Sequence, residues 1–312
     1  MQTLRTPDDR FADLPDFAYA PHYVDITDDI DATALRVHYL DEGPVDAAPI
    51  LLMHGEPTWS FLYRHMIPVL VARGHRCIAP DLVGFGRSDK PTQRGDYTYA
   101  RHVAWMRAAL FDQLDLHDLT FVGQDWGGLI GLRLVAEHSE RFSRVVVGNT
   151  FLPTGTASPS DAFLAWQKYS QATPVFAIGN IVNGGCTTDL TADVIAGYDA
   201  PFPDDTFKAG ARVFPTLVPT RPDDPAVAAN VAAWDSLGRF SKPWLCAFSD
   251  RDQVTKGCDE PFLRAVPGAV GQPHTTVEGA GHFLQEDAGP QLAGIVADFI
   301  QTTSDEPRTT NG

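Results

Sequence analysis

Apolar and polar positions follow two different patterns along the chain. The early segments "HYVDIT" and "LRVHYLDEG" alternate apolar and polar residues, which predicts two antiparallel strands. Later strand-like runs are largely apolar, as is typical of strands buried on both faces: "APILLMHG", "HRCIAPDL", "LTFVGQD", "RVVVGNT", "PWLCAFSD" and "HTTVEG". Helical patterns lie between most of them, at 61–72, 99–114, 129–138 and 289–300. This alternation predicts an α/β fold with a mostly parallel central sheet that helices cover on both faces.

The region 152–230 breaks this alternation. It has no clear buried strand, is rich in Pro, Gly and Ala, and shows only short helical patterns. It is also too long for a loop within a compact domain. We therefore predict a helical cap at 152–230, inserted into a core domain formed by 1–151 and 231–303. The polar segment 304–312, "SDEPRTTNG", is predicted to be a disordered tail.

Composition narrows the classes of partner. The 312 residues are 44% hydrophobic, which is sufficient for a full core, and the net charge of −16 disfavours binding to nucleic acid or to anionic lipid. The start of the chain has no apolar signal-peptide region, and no apolar run approaches the roughly 20 residues of a membrane span. The four cysteines lack metal-binding spacing and are expected to be reduced, which favours a cytoplasmic location: Cys77, Cys186, Cys246 and Cys258.

The segment "VGQDWGG" contains the clearest catalytic signal. It follows a predicted strand and opens a helix, and a Gly-x-nucleophile-x-Gly turn at such a place raises one side chain above the sheet edge. Here that side chain is Asp125. A carboxylate can attack a saturated carbon that bears a leaving group, which produces an ester on the enzyme. The alternative is that Asp125 only caps the following helix, but the flanking glycines favour the nucleophile.

Hydrolysis of such an ester needs a base that activates water. His282 in "EGAGHFLQED" follows the last predicted strand and is the candidate base. An acid must orient its imidazole, and "CAFSDRDQV" offers Asp250 and Asp252. Asp252 is predicted to be the acid because it lies past the strand end, where ligands gather, whereas Asp250 is predicted to cap the loop. The order nucleophile, acid, base is that of the α/β-hydrolase fold.

The segment "LLMHGEPTWS" follows an earlier core strand, at the position that contributes an oxyanion-hole N–H in this architecture. We predict that the backbone N–H groups of Glu56 and Trp126 surround the ester carbonyl, and that the Glu56 side chain lies near the hydrolytic water. The alternative for Glu56 is a capping role for the helix that follows.

A halide leaving group needs hydrogen-bond donors in an apolar pocket and does not need a proton. An indole N–H is a donor on a large apolar ring, and Trp126 directly follows the nucleophile. A second donor is expected from the cap, where "DAFLAWQKYSQ" contains Trp166; its alternative is a core position. The remaining tryptophans are predicted to lie in the core or at its rim: Trp59, Trp105, Trp234 and Trp244.

Several motifs together resemble the haloalkane dehalogenases of the α/β-hydrolase superfamily, over nearly the whole chain: "HGEPTWSFLYR", "DLVGFGRSDKP", "GQDWGGLIGLR", "YDAPFPD", "FSDRDQV" and "GAGHFLQE". The resemblance implies that Asp125 is the nucleophile, His282 the base and Asp252 the acid. It also implies that Trp126 and Trp166 bind the halide as a pair.

The residue after "HG" distinguishes branches of this family. Some branches have an Asn there as the second halide donor, whereas this chain has Glu56, which cannot donate when it is ionised. The chain therefore resembles the branch that relies on two tryptophans. The resemblance implies a small halogenated alkane and water as reactants and a halide as product. We expect no cofactor, no metal, no nucleic acid and no membrane partner, and a monomer or homodimer.

Other functions remain open at the level of the sequence. An epoxide hydrolase shares the Asp–His–Asp set but needs hydroxyl donors, for which Tyr169 and Tyr198 are available. A fluoroacetate-type dehalogenase is a further alternative. A catalytically silent binding module is a non-enzymatic alternative, although such proteins typically lack a triad member and none is missing here. A serine esterase is disfavoured because the elbow has no serine.

Overall fold

A mixed sheet forms the centre of the molecule. The computed structural model describes residues 1–305. These residues form ten strands: β1 (Thr3–Leu4), β2 (His22–Thr27), β3 (Ala34–Glu42), β4 (Pro49–Met53), β5 (Arg76–Pro80), β6 (Lys90–Pro91), β7 (Leu119–Gly123), β8 (Phe142–Val147), β9 (Trp244–Ser249) and β10 (Thr275–Val277). Strands β1 and β6 pair only with each other, and the other eight form the central sheet.

The strand order in the central sheet is β10-β9-β8-β7-β4-β5-β3-β2. All neighbours from β10 to β5 are parallel, whereas β3 is antiparallel to both β5 and β2. Every residue of β4 and β7 is buried, as their apolar runs predicted, whereas β2 at the sheet edge is largely exposed or half-buried. The predicted mostly parallel sheet and the antiparallel early strands are confirmed.

Ten α-helices accompany the sheet in the described part of the chain: α1 (Ile67–Ala72), α2 (Tyr99–Arg107), α3 (Asp125–Glu137), α4 (Asp161–Ala172), α5 (Ile178–Gly185), α6 (Ala192–Asp199), α7 (Ala209–Leu217), α8 (Val227–Leu237), α9 (Glu260–Ala265) and α10 (Leu284–Asp305). Helix α1 packs on α10, and α3 packs on α2 and α8, so that helices flank the sheet. The α/β-hydrolase fold is thus confirmed.

The helix bounds differ from the predicted patterns at several points. The pattern at 61–72 is divided between a 3₁₀ turn, Ser60–Tyr63, and α1, and α2 continues as a π-helix, Ala108–Gln113. Helix α10 is broken at Ala288, two residues before Pro290, because proline has no N–H for the helical ladder. It continues to Asp305, so the predicted disorder is wrong for residues 304 and 305, and residues 306–312 lie outside the described part.

The region 152–230 contains α4 to α7 and the beginning of α8, with no strand among these residues. It is inserted between β8 and β9. Helix α4 packs on α7 and α5 on α6, whereas α8 packs on α3 of the core. The predicted boundary at 230 therefore falls inside a helix that also covers the sheet. No helix in residues 1–305 is long and apolar enough to cross a membrane.

Candidate active site

The turn between β7 and α3 holds Asp125 in a strained conformation. Its φ is +49°, a left-handed backbone region that non-glycine residues seldom adopt. The Asp125 N–H donates to the carbonyl of Asn149 at 2.9 Å, and the Thr150 hydroxyl donates to the Asp125 carbonyl at 2.8 Å. A methyl group on Gly127 would lie 2.0 Å from the carbonyl oxygen of Met53, so only glycine permits α3 to approach β4 this closely.

The two carboxylate oxygens of Asp125 have different surroundings. Oδ1 accepts the backbone N–H of Glu56 at 2.7 Å, and Oδ2 lies 3.5 Å from Nε2 of His282. A methyl group on Gly55 would lie 2.3 Å from Oδ1, so a glycine is needed beside the nucleophile. One oxygen is therefore held by the backbone while the other faces the imidazole. That the backbone N–H of Trp126 is a second donor to the same carboxylate remains a prediction.

His282 and Asp252 meet on the loops that follow β10 and β9. The Oδ2 atom of Asp252 lies 3.0 Å from Nδ1 of His282, and Asp252 also accepts the Val254 N–H at 2.8 Å and the Thr255 hydroxyl. Burial opposes ionisation of Asp252, but His282 and these hydrogen bonds lower its pKa to about 2. An ionised Asp252 accepts a hydrogen bond from the Nδ1–H group of His282, which leaves Nε2 of His282 towards Asp125.

The charge on His282 depends on both aspartates. Burial disfavours the protonated imidazole, but the charges of Asp252 and Asp125 and the hydrogen bonds to them outweigh burial and raise the pKa of His282 to about 10. While Asp125 is ionised, His282 is therefore protonated near neutral pH. Loss of the negative charge on Asp125 would remove part of this increase.

Three of the residues considered from the sequence lie away from this cluster. Asp250 accepts the N–H of Gly279 at 2.7 Å, which is the loop-capping contact predicted for it. The hydroxyl of Tyr198 is buried and donates to Glu286, and Tyr169 is 45% exposed. Neither tyrosine lines the cavity beside Asp125. An epoxide oxygen there would lack the hydroxyl donors that the alternative function requires.

A cavity of about 200 Å³ opens next to Asp125. Its titratable side chains are Glu56, Asp125 and His282, and both Trp126 and Trp166 line it. The rest of the wall is apolar or glycine: Pro57, Leu129, Phe151, Phe163, Ile181, Gly184, Gly185, Pro215, Val218, Val254 and Phe283. Such a wall suits a small apolar molecule that carries one reactive bond.

The two candidate halide donors are held by aromatic packing. The Trp126 side chain is 3% exposed and meets the rings of Tyr99 and Phe214 edge to face, with centroids 5.1 and 4.7 Å away. Trp166 on α4 is half-buried and stacks with Tyr169 and Phe176 at 6.0 and 5.9 Å. Core and cap segments thus contribute one indole each to the same cavity.

The surroundings of Glu56 disfavour the ionised form of its carboxyl group that was considered from the sequence. Glu56 is 4% exposed, and its Oε1 atom has no hydrogen-bond partner among the described residues. Burial and the neighbouring charge of Asp125 raise the pKa of Glu56 well above its ordinary value, and the indole of Trp166 acts against this increase as a hydrogen-bond donor. A protonated carboxyl group can donate a hydrogen bond, so Glu56 can act as a donor in that form.

The other four tryptophans lie in the core or at its rim. Trp59, Trp105 and Trp244 are at most 1% exposed. The indole N–H of Trp234 donates to the carbonyl of Leu152 at 2.8 Å. None of these four lines the cavity beside the nucleophile.

Two residues at the site were missed by sequence reasoning. The side-chain Nε2 atom of Gln124 lies 3.1 Å from the backbone carbonyl oxygen of His282 and 3.2 Å from Nε2 of the His282 imidazole. The Nδ2 atom of Asn149 lies 3.0 Å from the same carbonyl and 2.8 Å from the Ser249 hydroxyl. Both residues follow buried parallel strands, where polar side chains gather, and this position was an available signal.

Metal ligation has no support in the described residues. Within 1–305 no group of three or more His, Cys, Asp or Glu side chains is arranged to hold a metal ion. All four cysteines are free; Cys77 and Cys246 are buried, and Cys186 and Cys258 are half-buried.

Comparisons with known proteins agree with the fold. A family model of the alpha/beta hydrolase fold matches residues 48–288. The haloalkane dehalogenase of Psychrobacter cryohalolentis is 56% identical over 99% of this chain and 100% of its own length. That of Mycobacterium marinum is 53% identical over 94% of this chain and 98% of its own length. The haloalkane dehalogenase DpaA from Paraglaciecola agarilytica NO2, solved as a tetramer, superposes with a TM-score of 0.86 at 36% identity, over 95% of this chain and 97% of DpaA. The chain thus belongs to the haloalkane dehalogenases, α/β-hydrolases that cleave the carbon–halogen bonds of haloalkanes by hydrolysis.

Proposed function

We propose that Asp125 is the nucleophile of this hydrolysis, with His282 as the base and Asp252 as the acid that orients it. The unequal surroundings of the two Asp125 oxygens carry this assignment. Oδ1 is held at 2.7 Å by a backbone N–H, Oδ2 lies 3.5 Å from Nε2 of His282, and Asp125 lines the cavity. We further propose that Trp126 and Trp166 bind the departing halide.

In the first step, Oδ2 of Asp125 attacks the carbon that bears the halogen. The new bond is an alkyl ester, and the carbon–halogen bond breaks with its electron pair leaving on the halide. Negative charge moves from the carboxylate to the halogen. The indole N–H groups of Trp126 and Trp166 donate hydrogen bonds to the departing halide and stabilise this charge. The apolar wall keeps competing water away, which strengthens these interactions.

The ester formed in this way changes the electrostatics of His282. An esterified Asp125 is neutral, so one of the charges that raise the pKa of His282 is lost. The imidazole then releases its proton to solvent and becomes able to accept another. His282 then takes a proton from a water molecule as the resulting hydroxide attacks the ester carbonyl carbon. The oxyanion develops on Oδ1, next to the Glu56 N–H.

Collapse of this intermediate completes the cycle. The bond between the carbonyl carbon and the alkyl oxygen breaks, and the alkoxide takes the proton from His282 and leaves as alcohol. The water oxygen remains in Asp125, and the net products are alcohol, halide and one proton. Asp252 stays ionised throughout and stabilises the protonated imidazole. The carboxyl group of Glu56 lines the same cavity and is proposed to orient the attacking water.

The cavity favours a short haloalkane as substrate. Its volume of about 200 Å³ lies below the ~300–1,000 Å³ typical of pockets for drug-sized ligands. Its wall offers no cationic side chain other than His282, so a carboxylate substrate of the fluoroacetate type would lack a partner. We therefore expect chlorinated, brominated or iodinated short alkanes to be the substrates.

The cap, assembly and location remain part of the proposal. The four-helix segment and the start of α8 at 152–230 are proposed as the cap, because Trp166, Ile181 and Val218 from this region line the cavity. A monomer or homodimer is proposed because a net charge of −16 disfavours close association of many copies. The free state of all four cysteines is consistent with the cytoplasm.

Trapping the ester tests the nucleophile. His282→Gln should still form the ester but should hydrolyse it very slowly, because no base activates water. One equivalent of bromide should appear in a rapid burst with 1-bromobutane, and mass spectrometry of peptides should find a butyl group on Asp125. Asp125→Asn in the same assay is the matched control and should give neither signal. Turnover by wild type without any trapped adduct in His282→Gln would contradict the mechanism.

A further inference from the structure

The peptide between Gly55 and Glu56 is hydrogen-bonded at both ends. Its carbonyl oxygen, on Gly55, accepts the Thr58 N–H at 3.0 Å, the Thr58 hydroxyl at 2.9 Å and lies 2.9 Å from Nδ1 of His54. Its N–H, on Glu56, donates to Oδ1 of Asp125 at 2.7 Å. Three contacts therefore converge on the carbonyl of the one amide whose N–H serves the nucleophile.

The tautomer of His54 follows from its neighbours. The backbone N–H of Leu82 donates to Nε2 of His54 at 2.9 Å, so Nε2 must be unprotonated. Burial lowers the pKa of His54, and the side chain is fully buried, so the ring is neutral with its single proton on Nδ1. Nδ1 is consequently a donor to the Gly55 carbonyl. Thr58 is equally buried, so no solvent competes for this carbonyl.

Hydrogen bonds to an amide carbonyl polarise the whole amide and strengthen its N–H as a donor, by ~10–30% for each bond. We propose that His54 and Thr58 polarise this peptide and thereby strengthen its N–H as the donor to Asp125. Neither residue touches the cavity or the reacting atoms, so both are positioning residues. The inference rests on the proposed role of Asp125 as nucleophile.

The two chemical steps respond to this donor with opposite signs. In alkylation, negative charge leaves Asp125 for the halide, so a stronger donor to Oδ1 stabilises the starting carboxylate and slows attack slightly. In hydrolysis of the ester, negative charge builds up on Oδ1, so the same donor accelerates the step. A change that weakens polarisation should therefore slow hydrolysis and leave alkylation equal or faster. A general disturbance of the site would slow both.

The test compares Thr58→Val, which removes the hydroxyl donor, with Thr58→Ser, which retains it. Stopped-flow and rapid-quench measurements with 1-bromobutane give the rates of alkylation and of ester hydrolysis separately. An oxyanion-hole donor of this kind contributes ~10²–10³ to the rate, and Thr58→Val removes one of the hydrogen bonds that polarise it. We therefore expect ester hydrolysis to be about two- to sevenfold slower in Thr58→Val, and alkylation not to be slower. Thr58→Ser should restore both rates towards those of wild type. Equal slowing of both steps, or no change in either, would overturn the proposal.

The trapped ester gives a direct readout of the hydrogen bond. In the His282→Gln background, isotope-edited infrared spectra of the butyl ester on Asp125 should show the carbonyl stretch at higher wavenumber when Thr58 is Val, because its hydrogen bond is weaker. An unchanged stretch would contradict polarisation. Failure to trap any ester on Asp125 would instead refute the proposed nucleophile, so the two failures are distinguishable.

A second pair keeps the test valid if Thr58→Val does not fold. His54→Asn can place an amide N–H where Nδ1 lies, whereas His54→Gln can accept the Leu82 N–H but loses the donor to Gly55. Hydrolysis should be slower in His54→Gln than in His54→Asn, with no matching loss in alkylation. Equal hydrolysis rates in this pair would count against the proposal.

Discussion

Individual residues at the site differ in how strongly their surroundings constrain them. Asp125 has a strained backbone, and its carboxylate accepts the backbone N–H of Glu56. Asp252 accepts three hydrogen bonds. Trp166 is held less tightly, since it is half-buried and stacked among cap aromatics. Its indole lies close enough to Glu56 to affect the pKa of that carboxyl group. The proposed binding of halide by Trp166 would therefore compete with this interaction.

Replacing Trp166 with Phe should separate its donor from its ring. The apolar body is largely kept, but one of two donors to the halide is lost, and such donors act most strongly as charge develops on the halogen. We expect alkylation to slow by about 10²–10³ and halide binding to weaken, as measured by burst kinetics and by bromide quenching of tryptophan fluorescence. Chlorides should suffer more than iodides, because chloride is the poorer leaving group.

Tyr169→Phe, on the same helix, is the matched control because its hydroxyl lies outside the cavity and should not affect either quantity. If Trp166→Phe retains wild-type rate and halide affinity, a different cap residue binds the halide.

At the scale of elements, the site depends on close packing of α3 against β4. The Gly127 position has no space for a side chain beside Met53, and this contact sets the height of Asp125 above the sheet. A separate buried contact joins the cap to the core. Arg64 donates to the carboxylate of Glu286 at 2.8 Å, and the hydroxyl of Tyr198, from the cap, donates to the same carboxylate. Glu286 lies four residues after His282, so this contact also supports the loop of the base.

Gly127→Ala tests the packing of α3. Alanine favours an isolated helix by ~1 kcal/mol over glycine, so a net loss of stability would identify the steric contact. We expect the free energy of unfolding to fall by roughly 1–3 kcal/mol, because the Met53 carbonyl oxygen is backbone and cannot move aside cheaply. Alkylation should slow as Asp125 is displaced. Chemical denaturation and the bromide burst measure the two effects.

Gly95→Ala is the control for Gly127→Ala, because a methyl group there meets no atom within 4 Å. A Gly127→Ala protein as stable and active as this control would show that α3 can shift without consequence.

For the whole molecule, the charged triad couples stability to pH. The pKa of His282 rises from its ordinary 6.5 to about 10 in the folded protein. A group whose pKa is raised on folding stabilises the fold fully below its unfolded pKa and loses that contribution as pH rises through the folded value. The contribution of His282 should therefore be present below about pH 6.5 and decline towards pH 10.

Denaturant unfolding of wild type and of His282→Gln between pH 6 and pH 10 measures this coupling. The stability advantage of wild type should shrink across the window, at ~1.4 kcal/mol for each unit by which the folded and unfolded pKa values differ. Groups that do not interact with His282 titrate alike in both proteins and cancel. A difference between wild type and His282→Gln that does not vary with pH would contradict the raised pKa.

The sequence by itself determined the sheet and the place of the chemistry. Buried parallel strands require continuous apolar runs, as in β4 and β7, and a parallel sheet brings the ends of its strands to one edge. Asp125, Asp252 and His282 each follow a strand of the parallel part of the sheet, so local pattern sufficed to select them as candidates.

Only the tertiary structure decided the properties that depend on burial and on distant contacts. The raised pKa of Glu56 follows from its burial beside Asp125, and neither is visible in "HGEP". The contact of Asp252 rather than Asp250 with His282 depends on two loops far apart in sequence. The roles of His54 and Thr58 likewise arise from hydrogen bonds to one peptide carbonyl, which residue type alone does not specify. Free energies of burial and hydrogen bonding depend on the assembled surroundings of a group, and these exist only after the chain has folded.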